Sequence, residues 1–198
     1  MFTGIISGLG TVRAITPIGG GEDMRVEIAA PWQDNATIPL GASIACSGCC
    51  LTAIAVDAAG FVAQVSGETL SRTTLGAWRV GSRVNLERSL KLGDEMGGHI
   101  VSGHVDGVGE AVAAVADEGS TRWRFRVAPE LARLIAVKGS VAVDGVSLTV
   151  NAADDDGFDV NIIPHTAMVT AFSVLRPGER VNIEIDMLAR YVARLLGR

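Results

Sequence analysis

The chain repeats itself, and that constrains its fold more than anything else in the sequence. Displaced by 97 residues, Gly48-Cys49-Cys50-Leu51-Thr52 falls on Gly145-Val146-Ser147-Leu148-Thr149, Gly60-Phe61 on Gly157-Phe158, Thr69 on Thr166 and Thr73 on Thr170. Gly81-Ser82-Arg83-Val84-Asn85-Leu86-Glu87 likewise falls on Gly178-Glu179-Arg180-Val181-Asn182-Ile183-Glu184. At a displacement of 98, Ala30-Pro31 meets Ala128-Pro129, and at 99, Gly4-Ile5-Ile6-Ser7-Gly8 meets Gly103-His104-Val105-Asp106-Gly107. So many ordered matches mark a duplicated unit of roughly 90 residues, and a period of that size sets the architecture before any local reading does.

Within each copy the elements are short. Val26-Glu27-Ile28, Ser43-Ile44-Ala45-Cys46 and Val84-Asn85-Leu86-Glu87 alternate as strands do, as do their counterparts Trp123-Arg124-Phe125-Arg126-Val127, Val141-Ala142-Val143-Asp144 and Val181-Asn182-Ile183-Glu184-Ile185. The 24 glycines punctuate them every ten or so residues, a rhythm of antiparallel barrels rather than βαβ units. Two helical segments interrupt the pattern. Pro129-Glu130-Leu131-Ala132-Arg133-Leu134-Ile135 opens with proline and an acid. The tail, from Met187 to Leu196, is an amphipathic helix outside both copies, too short to stand alone in water. The expected fold class is all-β, with a first barrel over residues 1–97, a second over 98–186 and a C-terminal oligomerisation helix over 187–198.

Composition narrows the function. Apolar residues make up 48% and charged residues 20%, which is globular. The net charge of −5 and the lack of any basic stripe argue against nucleic acid. Residues 35–56 are uncharged but broken by Pro39, Gly41 and Gly48, so they read as buried strands and not as a membrane span. The start of the chain lacks a basic leader, and the three clustered cysteines, Cys46, Cys49 and Cys50, make a poor disulfide framework; both point to the cytoplasm. The cysteines and the three histidines, His99, His104 and His165, match no common zinc spacing. Neither a G-x-S-x-G elbow nor a phosphate-binding loop is present. Neither metal nor cofactor is expected.

Candidate chemistry lies in one strand of each copy. Cys50 and Thr52 share a strand face, and Ser147 and Thr149 hold the equivalent places. A histidine near them would supply acid–base chemistry around neutral pH.

The opening Met1-Phe2-Thr3-Gly4-Ile5-Ile6, with Gly48-Cys49-Cys50-Leu51-Thr52, Glu68-Thr69-Leu70, Gly97-Gly98-His99-Ile100-Val101-Ser102-Gly103-His104, Asp144-Gly145-Val146-Ser147-Leu148-Thr149, Ile163-Pro164-His165-Thr166 and Val181-Asn182-Ile183-Glu184-Ile185-Asp186, resembles the riboflavin synthase family of lumazine-binding repeat proteins over nearly the whole chain. The resemblance implies two similar six-stranded Greek-key barrels and a C-terminal helix, assembled as a homotrimer whose active site joins barrels of neighbouring subunits. It implies that two molecules of 6,7-dimethyl-8-ribityllumazine exchange a four-carbon unit to give riboflavin and 5-amino-6-(ribitylamino)uracil, with association with lumazine synthase as a further expectation. Carried over to this chain, Cys50, His104, Ser147, Thr149 and Asp186 are the catalytic candidates, His104 and Ser147 leading for proton transfer. Gly4, Ile5, Ile6, Leu51, Thr52, Gln64, Val65, Ser66, Gly67, Glu68 and Thr69 would line the first pocket. Leu148, Ile163, Pro164, His165, Thr166, Ala167 and Met168 would line the second, with Gly103 and Val105 beside it and Lys138 reaching in from another subunit. The competing reading is a non-catalytic lumazine- or flavin-binding antenna protein, which would keep the barrels without both reactive positions.

Overall fold

The computed structural model describes residues 1–197. The first copy forms β1 (Gly8–Pro17), β2 (Met24–Ala29), β3 (Ser43–Cys46), β4 (Cys49–Asp57), β5 (Gly60–Val65) and β6 (Arg83–Arg88). The second forms β7 (Gly107–Asp117), β8 (Ser120–Arg126), β9 (Ser140–Val143), β10 (Val146–Asp154), β11 (Gly157–Ile162) and β12 (Arg180–Ile185). Each set closes into an antiparallel barrel, in the order β1-β2-β5-β4-β3-β6 and its equivalent β7-β8-β11-β10-β9-β12. The fold class expected from the repeat is the one observed.

Closure follows from local features that both copies keep. The register shifts between Val12 and Ala14 in β1 and between Ala53 and Ala55 in β4 recur between Ala111 and Ala113 in β7 and between Val150 and Ala152 in β10. Such bulges bend a strand and raise its twist, as a small barrel requires. The tight turns Ser47-Gly48 and Asp144-Gly145 have positive φ at both residues (44° and 83°; 45° and 79°), the backbone that two-residue hairpins demand. The first core gathers around Ile28, Phe61 and Leu86, the second around Phe125, Phe158 and Ile183. Trp123 and Phe172 add an edge-on aromatic contact to the second, with centroids 5.8 Å apart.

The barrels are joined about an approximate twofold axis. Asn85 donates to the Asp144 carbonyl (2.9 Å) and accepts from the Ala171 amide (2.7 Å). Asn182 mirrors it, donating to the Ser47 carbonyl (2.8 Å) and accepting from the Thr74 amide (2.8 Å). Both asparagines are buried, and buried amides persist only when paired in this way. A Cβ on Gly48 would lie 2.9 Å from the Gly145 nitrogen, so the two turns meet backbone to backbone.

Helices are confined to barrel ends and the tail: α1 (Gly67–Arg72), α2 (Pro129–Ala132), α3 (Pro164–Val169) and α4 (Met187–Leu195). The helix starting at Pro129 is shorter than the sequence suggests. The pair α1 and α3 carries only faint sequence marks: Ser66 caps one and Pro164 occupies the first turn of the other.

Candidate active site

Two segments outside the barrels, residues 1–7 and 97–106, build the surface on which the candidate side chains Cys50, His99 and Ser147 lie. Phe2 and Val101 exchange a pair of backbone hydrogen bonds (2.8 and 3.0 Å), and both are buried with Ala45 and Ala142 in a small core between the barrels. A glutamate clamps each segment. Glu87 in β6 accepts from the Thr3 amide, the Thr3 hydroxyl and the Gly4 amide (2.6, 2.7 and 2.9 Å). Glu184 in β12 accepts from the Ser102 amide and hydroxyl (both 2.6 Å), the Gly103 amide (2.9 Å) and the His104 amide (3.0 Å). Burial pushes the Glu87 carboxyl above its ordinary range, against the lowering pull of these donors.

Within the chain the segments serve opposite barrels. The Gly4 carbonyl accepts the Ser147 amide of the second barrel (2.8 Å), and the Gly103 carbonyl accepts the Cys50 amide of the first (2.8 Å). Both glycines have positive φ (76° and 79°). A Cβ on either would stand 2.6 Å from the Cβ of Ser147 or Cys50, so no other residue fits. Ile6 packs against the second core and Val105 against the first. The sequence reading puts Gly4, Ile5 and Ile6 at the first pocket and Gly103, His104 and Val105 near the second; within the chain Gly4 and Ile6 contact the second barrel, and Gly103 and Val105 the first. The physical reason is that β4 and β10 each begin at the inter-barrel turns, where their first free amides face the other copy's segment.

Ser147 is held by a histidine, but not the expected one. Its Oγ lies 2.7 Å from Nδ1 of His99, whereas the His104 side chain is exposed and makes no hydrogen bond among the described residues. Gly98 allows this approach: a Cβ there would stand 2.1 Å from the Thr3 carbonyl oxygen and 3.0 Å from the Ser147 Oγ. Burial lowers the His99 pKa below its usual value, and the nearby Asp186 and Glu184 charges oppose that shift without cancelling it. A ring that is neutral near pH 7 can take a proton from the serine or from a bound molecule. The Gly97-Gly98-His99 triplet was the available signal. Asp186 also caps α4, accepting from the Leu188 amide (2.9 Å).

The other reactive candidates divide by burial. Cys50 is half-buried in this surface, while Thr52 and Thr149 are exposed two residues along their strands from Cys50 and Ser147. Cys46 and Cys49 face each other across the Ser47-Gly48 turn, both in the core. Burial pushes the Cys49 thiol up to about 12, which leaves it inert as a nucleophile.

A family model for the lumazine binding domain matches residues 3–89 and again 102–186. The riboflavin synthase of Brucella abortus is 50% identical, with 98% of each chain covered. That of Mycobacterium tuberculosis is 44% identical over 99% of this chain and 98% of its own. This chain belongs to the lumazine-binding domain family. Among solved structures, LumP in complex with riboflavin superposes with a TM-score of 0.85 at 23% identity, over 93% of this chain and 99% of that one. LumP in complex with 6,7-dimethyl-8-(1'-D-ribityl) lumazine gives 0.82 at the same identity and coverage. These likenesses show the shared double-barrel fold.

Each lumazine-binding repeat ends its fifth strand in a helical turn of equal design. In the first, Ser66 accepts from the Thr69 amide (3.2 Å), and the Thr73 hydroxyl donates to the Thr69 carbonyl (2.7 Å). In the second, Ile163 replaces the capping serine, and the Thr170 hydroxyl donates to the Thr166 carbonyl (2.7 Å). Gln64 points outward to Asp23 (3.3 Å), and Asp23 holds the Gly67 amide (3.0 Å). Leu51 and Val65, expected at the first pocket, bury their side chains in the core and offer only backbone. Ile5, His104, Ile163, His165, Met168 and Lys138 are exposed, so the two repeats present an open apolar and polar surface rather than closed cavities.

Proposed function

We infer that this chain is a riboflavin synthase, converting two molecules of 6,7-dimethyl-8-ribityllumazine into riboflavin and 5-amino-6-(ribitylamino)uracil. The observation that carries the reading is the full-length identity of 50% to a riboflavin synthase in a chain made of two lumazine-binding repeats. The enzyme is a transferase. The antenna-type alternative is not favoured: full-length relatives at 44–50% identity are riboflavin synthases.

Two identical substrates need two similar sites, and holding them as a near-attack pair removes translational entropy that would otherwise oppose the reaction, up to about 7–11 kcal/mol in good cases. In our reading, Thr52, Gln64 and the Ser66–Thr69 turn hold one lumazine. Thr149, Leu148 and the turn carrying Ile163, Pro164, His165, Thr166, Ala167 and Met168 hold the other. The His99-supported Ser147 moves a proton at the lumazine C7 methyl, with Asp186 steadying the imidazolium; Cys50 and His104 act at the opposite copy. Support for an active site shared between subunits comes from exposure: Ile5 is 51% and Met168 69% exposed, so a second barrel would be needed to exclude water from the surface they line. The proposal therefore includes a homotrimer, with Lys138 reaching into a neighbour's site, working in the cytoplasm. No helix among the described residues is long and apolar enough to cross a membrane. Association with lumazine synthase is part of the proposal on the family resemblance alone.

Purified protein incubated with the lumazine alone should develop flavin fluorescence, with one riboflavin formed for every two lumazines consumed. Tight binding of the lumazine without turnover would return the antenna reading.

A further inference from the structure

A second cleft opens on the approximate twofold axis, and it shares no residue with the lumazine-facing surface. It encloses about 540 Å³ between the Trp78–Arg83 turn of the first copy and the Val174–Arg180 stretch of the second, with Ser47 and Asp144 also lining it. Three arginines line it: Arg79, Arg83 and Arg180. None of the three forms an ion pair among the described residues. Elsewhere in the chain Arg13, Arg72, Arg88, Arg122, Arg124, Arg126 and Arg190 are ion-paired, whereas the three guanidiniums of the cleft have no carboxylate partner among the described residues.

The duplication sharpens the point. Arg79 and Arg83 correspond to Arg176 and Arg180 at the displacement of 97, so both copies keep both arginines around one axis. The residues beside them differ: Leu175 stands in the place of Trp78 and Glu179 in that of Ser82. Two carboxyls lie in the lining, and each is turned to a backbone amide. Asp144 accepts from Asn182 (2.8 Å), and Glu179 accepts from Arg176 (2.6 Å). The turn that presents Arg79 is held by reciprocal bonds with Ser82 (3.0 and 2.9 Å). Arg83 donates to the Thr11 hydroxyl (2.6 Å) and the Leu9 carbonyl (3.3 Å), which fix its guanidinium on β1 at the edge of the cleft.

We propose that this cleft binds a phosphate monoester. The planar guanidinium fork matches two oxygens of a phosphate at once, and two forks from opposite copies would grip a dianion from both sides. The volume exceeds what a bare phosphate needs. Trp78, Val174 and Leu175 supply an apolar wall for the organic part. The cleft reads charge at its rim and a flat or apolar body against the indole.

Calorimetric titration of the full chain at pH 6.5 with inorganic phosphate, a nucleoside 5′-monophosphate and the unphosphorylated nucleoside tests this. Both phosphates should bind saturably, the monophosphate more tightly, and the nucleoside should not bind. Arg79→Gln and Arg180→Gln should each weaken monophosphate binding at least tenfold, with melting temperatures unchanged because both side chains are exposed. Arg25→Gln, which removes an exposed arginine of β2 outside the cleft, should leave binding intact. Lumazine turnover measured without phosphate should be unaltered in Arg79→Gln, which separates this site from the proposed synthase activity. Absence of saturable phosphate heat overturns the proposal, as does equal binding of the nucleoside or an equal loss in Arg25→Gln.

Discussion

His99 and Ser147 show how a duplicated chain acquires unequal chemistry at equivalent places. The first copy has Cys50 where the second has Ser147, and only the serine has a histidine within hydrogen-bond distance among the described residues. A serine hydroxyl needs such a partner to move a proton, whereas a thiol ionises more readily unaided. Ser147→Ala and His99→Gln should therefore lower turnover at least tenfold while leaving the affinity for a non-reactive lumazine analogue within about twofold, since the lost interaction strengthens in the transition state. His104→Gln should lower turnover as well if the exposed ring completes a neighbour's site. Cys50→Ser should cost less than Ser147→Ala, because no lasting covalent adduct is required. Thr52→Val should instead weaken analogue binding. Normal turnover in both Ser147→Ala and His99→Gln would remove proton transfer from the second repeat. Asp144 offers an independent test of the inter-barrel floor. Its carboxyl is packed in although part of the residue reaches the cleft, and burial pushes its pKa up to about 7 from 3.8. A raised carboxyl pKa means that the fold prefers the protonated form, so stability is fully present below the unfolded value and declines as pH rises from about 4 through 7. Asp144→Asn keeps the acceptor for the Asn182 amide and tolerates the positive φ. It should raise stability above pH 7 by about 2 kcal/mol, after discounting for partial exposure, and change little near pH 4. Denaturant titrations of both proteins at the two pH values would show it; an equal difference at both would mean that ionisation is not the cause.

Helix α4 is the element whose sequence and surroundings disagree most openly. Leu188, Tyr191, Val192, Leu195 and Leu196 are all more than half exposed, with Leu195 at 87%. The helix is anchored to the rest of the chain by Arg190, whose guanidinium meets both Asp106 oxygens at 2.9 Å. An exposed apolar stripe on an anchored helix marks an interface. Deleting residues 187–198 should lower the oligomeric state in sedimentation and the turnover with it; a monomer with full activity would rule out a site shared between chains. Elements of this kind were legible in the sequence because their pattern is local. The alternation in Val84-Asn85-Leu86-Glu87 and the 3.6-residue spacing of the tail each report one buried face. The short helices α1 and α3 were not, since six residues carry less than two turns of periodicity and only Ser66 and Pro164 mark their starts. The crossing of residues 1–7 and 97–106 was also hidden. The pairing of Gly4 with Ser147 depends on two segments far apart in the chain, and nothing within either segment says which barrel it will meet. The role of His99 is hidden for the same reason: its partner is set by the fold, and Gly98, which permits the contact, looks like any flexible linker residue until the Thr3 carbonyl is placed against it.

At the scale of the molecule, the twofold relation between barrels couples what the repeats do. Each reactive strand receives its first backbone bond from the segment leading into the other barrel, and each of those segments is clamped by the glutamate of its own barrel. Glu87 thus positions Gly4, which positions Ser147, while Glu184 positions Gly103, which positions Cys50. Each surface therefore takes part of its scaffold from the other barrel. Both repeats nonetheless keep their own Thr52 or Thr149, their own fifth-strand turn and their own open surface, so each should take one ligand. Calorimetric titration with a non-reactive lumazine analogue should approach two molecules per chain. The sites should differ in affinity, because Ser66 and Gln64 in the first are replaced by Ile163 and Asn161 in the second; each lost or gained hydrogen bond is worth about 0.5–1.5 kcal/mol, which separates the two constants by roughly two- to twelvefold. Thr52→Val should weaken one of the two binding steps and Thr149→Val the other. A single site per chain, removed entirely by Thr149→Val and untouched by Thr52→Val, would mean that only the second repeat binds, and that the first survives for its part in holding Ser147.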